Sequence, residues 1–352
     1  MAFPRAAVYH LGAINSDHAP LLIDTNPADG TYPRPFRFEA MWANDPRSFI
    51  VVDDAWQRNV VGSPSYILCK KQSFTTSALI KWNKEVFGHC QTRIKEITSN
   101  IECIQCKVAS ESNAMEEARL QQELNLWLSR NETMWKQKSR ETWLREGDRN
   151  SRFFHLSSII RRRRNSIDVI KTDNGEWIVK LANIREFVVA KFQNLFSEEP
   201  VSFPENLENL IPTSLSVEEN EEICKIPTPL KIKSELFAMQ SLKAPGPNGL
   251  PPLFYKKYWS IVGIEVIHAV QNFFRFGHML KEVNNSFIVL IPKVPNPTSV
   301  NQFRRISLCN TVYKIIFKLL VARIRPMLSK LVSPCQFAFI PGRWIAENQV
   351  VV

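Results

Sequence analysis

No window of about 18 apolar residues occurs in these 352 residues, which excludes a membrane-spanning helix by the hydropathy criterion. The N-terminal "MAFPRAAVYHLGAIN" has no basic stretch followed by an unbroken apolar run, so no secretory signal peptide is read there. Cysteine is scarce, scattered and odd in number, at seven. That argues against a disulfide scaffold and for a reducing compartment. The one close pair, Cys103 and Cys106, has no second CxxC or HxxxH to complete a zinc module, and reads as two small apolar positions on a helix. The sequence predicts a soluble intracellular chain, not secreted, with no metal site. Acidic residues are also in deficit. The net charge is +11 and the pI about 9.3, which points to a polyanionic partner, nucleic acid first.

What is present divides the chain. In residues 1–65, "AAVYHL", "APLLID" and "SFIVVDDAW" read as short strands, with Asp53 and Asp54 at a helix start. Farther on, Leu79, Trp82, Val86, Cys90, Ile94, Ile97, Ile101 and Ile104 recur at three- and four-residue steps, one face of a long helix. After the polar "SESN", Ala118, Leu120, Leu124, Trp127, Met134 and Trp135 form a second face. The spacing predicts two helices packed antiparallel.

Residues 136–164 carry ten basic against three acidic side chains, with Gly147 expected to end or bend a helix. Arg161, Arg162, Arg163 and Arg164 cannot share one helix face. The run reads either as phosphate contacts on several sides or as a solvated basic face or localisation signal. "DNGEW" predicts a β-hairpin with a type I′ turn. Residues 196–232 are acidic and proline-containing, a linker. Beyond them, "IKSELFAMQSL", "PLFYKKYWSIVGIEVIHAVQNFFRFG" and "VYKIIFKLLVARIRPMLSKLV" read as helices, the last interrupted by Pro326. "SFIVLIPKV" reads as a strand.

These blocks, in order, carry a resemblance. "SLKAPGPNGLPPLFYKKYW", "FIVLIPKVPNPTSVNQFRRISLCNTVYKIIFKLLVARI" and "QFAFIPGRWIAENQVVV" resemble the start of the reverse transcriptase of plant-type non-LTR, long-interspersed-element retrotransposons. "WLREGDRNSRFFHLSSIIRRRRNSI" resembles the linker before it. "SDHAPLLIDT" and "RPFRFEAMWANDPRSF" resemble the end of the endonuclease domain of the same polyprotein and the segment directly after that domain. The resemblance covers nearly the whole chain.

It implies an α+β, mostly helical chain. The expected parts are an endonuclease remnant (1–65), a basic helical linker with a small hairpin (66–195), an acidic linker (196–232) and reverse-transcriptase fingers (233–352). It implies Lys293 and Arg304 as nucleotide-binding, and Lys243, Lys256, Lys257 and Arg343 beside template phosphates, Arg343 either touching template or holding its loop. Asn248 stands where the family has Asp, and Arg305 where it has Pro. Asp17 and His18 resemble the terminal motif of the endonuclease fold, but 15 residues leave no room for its metal-binding partners, so both are read as vestigial. The palm carboxylates that hold paired metal ions, Mg in the intact family, match nothing in these residues. The chain alone is therefore expected to be inactive and without cofactor. The rival expectations are a non-catalytic protein binding RNA or single-stranded DNA without sequence preference, and a relic that does not fold. Oligomeric state is not legible.

Overall fold

The structure is a computed structural model that describes residues 7–10, 21–24, 35–108, 110–140, 151–197, 215–333 and 335–344. Asp17, His18, the expected bend at Gly147 and residues 198–214 of the acidic linker lie outside them. The described elements run β1 (Ala7–His10), β2 (Leu21–Asp24), α1 (Arg47–Trp56), α2 (Pro64–Trp82), α3 (Cys90–Gln105), α4 (Glu111–Ser139), α5 (Ser151–Arg164), β3 (Ile170–Lys171), β4 (Trp177–Ile178), α6 (Leu181–Leu195), α7 (Val217–Cys224), α8 (Pro229–Phe237), α9 (Pro252–Lys257), α10 (Trp259–Phe276), α11 (Lys281–Asn284), β5 (Ser286–Pro292), β6 (Phe303–Cys309), α12 (Thr311–Ile324) and α13 (Leu328–Leu331). The chain is α+β and mostly helical, with sheets of two strands each, β1–β2, β3–β4 and β5–β6. Among the described residues no helix is long and apolar enough to cross a membrane.

The chain divides into two compact units. One comprises Met1–Pro35, Leu156–Glu205 and Ile288–Ser307, so far as these are described. The other comprises Phe36–His155, Asn206–Phe287 and Leu308–Val352.

The larger unit is built from helices whose ends are written in the sequence. The Ser63 hydroxyl accepts from the Tyr66 amide and Pro64 takes the first helical position, which starts α2. One turn of π-helix and Gly88, at φ +76°, end it. Ser110 caps α4 in the same way. Helices α3 and α4 then pack antiparallel, with Gln105 bonded to Glu117 near the connecting turn and Phe87 against Trp127 at the other end. Of the expected face, Leu79, Trp82, Cys90, Ile97 and Ile101 are buried, whereas Val86, in the π-helical turn, is turned outward. The expected strand at "SFIVVDDAW" is helix α1, and Asp53 and Asp54 sit in its second half rather than at a helix start. Four of its residues, Ser48, Val52, Ala55 and Trp56, follow a helical period and are buried, so packing overrides the β-branched bias of this run.

At the centre of this unit Phe38 meets Trp42, Phe254 and Tyr258 edge-on, with centroids 5.5–6.1 Å apart. The Tyr258 hydroxyl is hydrogen-bonded to Ser48 at 2.7 Å, and burial pushes its pKa up to about 12. Asp45 lies buried between Arg47 and Arg130, at 2.7 and 3.0 Å. Arg130 in turn covers the rings of Trp127 and Phe87. Gly249, at φ +71°, supplies the carbonyl that accepts from the Phe38 amide at 2.9 Å, and a Cβ there would stand 2.3 Å from the Phe36 carbonyl oxygen. The Pro-Gly-Pro-Asn-Gly segment is therefore packed into the core of its unit.

The smaller unit holds the β3–β4 hairpin, α6 and most of the β5–β6 hairpin around Ile170, Ile184, Val300 and Phe303. The expected type I′ turn is not what forms. Lys171 pairs with Trp177, the Gly175 amide donates to the Thr172 carbonyl, and only Gly175 has positive φ. A type I′ turn would need Asn174 there as well, so the loop is the three-residue form with glycine in the left-handed position. Strand β6 has no sequence signal of its own. Its "FRRIS" leaves four of five side chains exposed and so lacks an apolar alternation.

Two outcomes test the packing. Gly249→Ala is expected to lower unfolding stability in urea by about 2–4 kcal/mol through φ strain and a backbone clash, while Gly277→Ala, at φ +68° with open space around it, costs about 1. The Arg47 hydrogen bond holds the Asp45 carboxyl below its ordinary range. Its contribution is then complete above about pH 4, the unfolded value, and is lost as pH falls toward the lower native value. Asp45→Asn is expected to cost about 3 kcal/mol at pH 7 and to remove that part of the acid dependence, read by denaturation between pH 7 and pH 2.

Candidate nucleic-acid interface

Helix α6 presents an apolar stripe at Ile184, Phe187, Val188 and Phe192 to the smaller unit's core. Lys191 stands inside that stripe, where the helical period calls for an apolar side chain. It is half-buried, and its ammonium contacts Asp173 of the β3–β4 loop at 2.6 Å. Across from α6, the β5–β6 hairpin is closed by the Lys293 amide donating to the Gln302 carbonyl at 2.8 Å. The Lys293 ammonium donates to the Asn301 carbonyl at 3.0 Å, which fixes the charge at the hairpin's bend. Ser299 and Gln302 form a capping box there, and the Lys171 amide reaches the Thr298 carbonyl at 2.7 Å, tying the bend to β3.

Between these elements lies a cleft of about 700 Å³, lined among others by Lys191, Lys293, Arg305, Phe187, Phe192 and Asp173. Arg305 places its guanidinium over the Phe192 ring, 5.9 Å from the centroid. Phe192 in turn stacks with Phe196, one turn later, at 6.3 Å and 22°. Arg304 does not line the cleft. Strand alternation turns it to the side opposite Phe303 and Arg305, and it is exposed. The structure thus brings Lys293 together with Arg305 and Lys191 rather than with Arg304. A lysine inside an apolar helical period was the one sequence signal for Lys191, whereas Arg305 stood out only as replacing the family's Pro, because strand β6 is not marked in the sequence.

The run Arg161–Arg164 ends α5, with Arg161, Arg162 and Arg164 exposed. The remaining predicted residues belong to the larger unit. Lys243 is exposed beside Ala244, whose carbonyl accepts from Lys314 at 2.8 Å. Burial, then the positive charges of Lys243 and Arg140, lower the Lys314 pKa, so these three cations share one neighbourhood. Lys314 and Arg140 were not singled out by sequence. Lys256 donates to the Met239 carbonyl and to the Ser241 hydroxyl, closing the end of α8, and burial lowers its pKa. Lys257 is exposed and lies over Phe49. Arg343 holds its loop by donating to the carbonyls of Ser333, Gln336 and Val332 at 2.6–3.1 Å.

No protein-family model matches the chain. Over 218 residues, 61% of its length, the chain is 28% identical to the Transposon TX1 uncharacterized 149 kDa protein of Xenopus laevis, and the match spans 16% of that protein. A transposon protein is thus among its relatives.

Lys256→Met is expected to lower stability by about 1–2 kcal/mol, because two acceptors at the end of α8 lose their charged donor. Chemical denaturation measures it.

Proposed function

We propose that the chain is part of a non-LTR retrotransposon polyprotein, comprising the helical linker and the fingers of its reverse transcriptase, and that what it retains is nucleic-acid binding rather than chemistry. The likeness to a transposon protein over 61% of the chain carries the first part. The order of the sequence blocks supports the finer assignment. Phosphoryl transfer by paired metal ions needs carboxylates on the palm, and none of these 352 residues matches the family's aspartate motifs. Lys293 at the bend of β5–β6 has a compact ammonium suited to phosphate, and Arg304 projects from the same hairpin on its exposed side.

The binding partner is RNA or single-stranded DNA, recognised through charge with little sequence preference. Arg161–Arg164 is the densest cationic run, and the net charge of +11 supplies a field that draws polyanions from a distance.

The test is fluorescence anisotropy with a labelled single strand across a salt series. Wild type is expected to bind with a steep salt slope, and replacing Arg161–Arg164 by alanine is expected to reduce the slope magnitude by about 3, at roughly 0.7 per phosphate contact. The same preparation is expected to extend no primer. Absence of binding at low salt, or primer extension by this chain, overturns the reading.

A further inference from the structure

We propose that the cleft between α6 and the β5–β6 hairpin is a strand-binding site for single-stranded nucleic acid, distinct from the arginine run of α5. A base stacks against the Phe192–Phe196 pair, while Arg305, Lys293 and Lys191 meet backbone phosphates. The inference rests on the nucleic-acid reading above and names a place for it.

Three observations carry it. First, Phe196 is 63% exposed and lies nearly parallel to Phe192, so an aromatic surface reaches solvent beside the cleft. Every base has a π-face, and stacking of this kind is indifferent to sequence. Second, three cations reach one cleft from separate elements, Lys191 from α6, Lys293 from the hairpin bend and Arg305 from β6. Lys293 lies across the ladder from Gln302, and Arg305 is three residues farther on, about 10 Å at strand rise. Side chains rooted that far apart can reach successive phosphates of one strand. Third, Lys191 occupies an apolar stripe and is held by a carboxylate, Asp173, that is itself mostly exposed. A phosphate competes with that carboxylate for the ammonium, so Asp173 acts as a weak internal occupant of the site.

The third point gives a test that misfolding cannot imitate. Binding of fluorescein-labelled oligo(dT) is measured by anisotropy for the full chain and four variants. Asp173→Asn is expected to tighten binding two- to fivefold, more than Glu102→Gln, an exposed acid of α3 in the other unit used as a charge control. Phe196→Ala is expected to weaken binding about tenfold, with Phe196→Tyr restoring it. Both carry an exposed position and are checked by thermal melting. Crosslinking of a strand containing 4-thiothymidine is expected to mark the peptide 181–197. Thymidine triphosphate is expected to compete no better than a short strand of equal charge.

If wild type binds but Asp173→Asn and Phe196→Ala match it, the cleft proposal fails while the nucleic-acid reading stands. If the triphosphate outcompetes the strand, the cleft is a nucleotide site and the proposal is overturned. If wild type does not bind at all, the underlying reading fails first, and this inference with it.

Discussion

The contact on which the larger unit depends is a single backbone hydrogen bond and the space around it. The Phe38 amide donates to the Gly249 carbonyl, and Gly249 has no Cβ because the Phe36 carbonyl occupies that space. Gly246 is equally confined, with a Cβ there falling 2.4 Å from the Asn310 amide nitrogen. Asn248 completes the arrangement. Its amide donates to the Asn310 side chain, its own side-chain oxygen accepts from Leu250, and its NH2 reaches Gln72 and Tyr255. Two prolines fix φ and remove donors that would otherwise need partners at this depth. The Pro-Gly segment is thus the place where residues 36–38, 72, 255 and 310 are held together.

The aromatic core depends on that point. Phe38, once anchored, is surrounded by Trp42, Phe254 and Tyr258, and Tyr258 fixes α1 through Ser48. Tyr255 is wholly buried and its pKa is pushed above the ordinary tyrosine value by burial, so it stays neutral and serves as a hydrogen-bonding partner only. Asp45 with Arg47 and Arg130 closes the other side. A charge this deep is tolerable because each of its oxygens has a guanidinium partner.

How much of this was legible depended on whether local pattern and tertiary packing agreed. Helix α4 announces itself by its period, whereas the single long helix expected through Leu79–Ile104 is broken by the π-helical turn and Gly88 into α2 and α3, which still bury the apolar steps. Helix α1 does not announce itself, because "FIVV" has strand propensity and only its neighbours α2 and α10 reward a helical face. The "DNG" loop was located correctly and its turn type was not, since Asn174 keeps negative φ and an extra residue enters the loop. For the candidate site, Lys293 was readable from its motif. Lys191 and Arg305 became meaningful only when the fold set α6 against the hairpin. Arg343 and Lys256 carry charges that suggested phosphate, yet Arg343 is held by backbone carbonyls and Lys256 by the Met239 carbonyl and the Ser241 hydroxyl. Charge alone in a sequence does not distinguish a free cation from one engaged by the chain.

The most direct test of the central claim is native-state hydrogen exchange at the Phe38, Asn248 and Gly249 amides. If the Pro-Gly segment is the buried anchor of its unit, these amides exchange only by global unfolding, with the same protection as the buried middles of α2 and α10. Rapid exchange at Phe38 and Gly249, with those helices still protected, would show that the segment opens on its own and that the helical core does not depend on it.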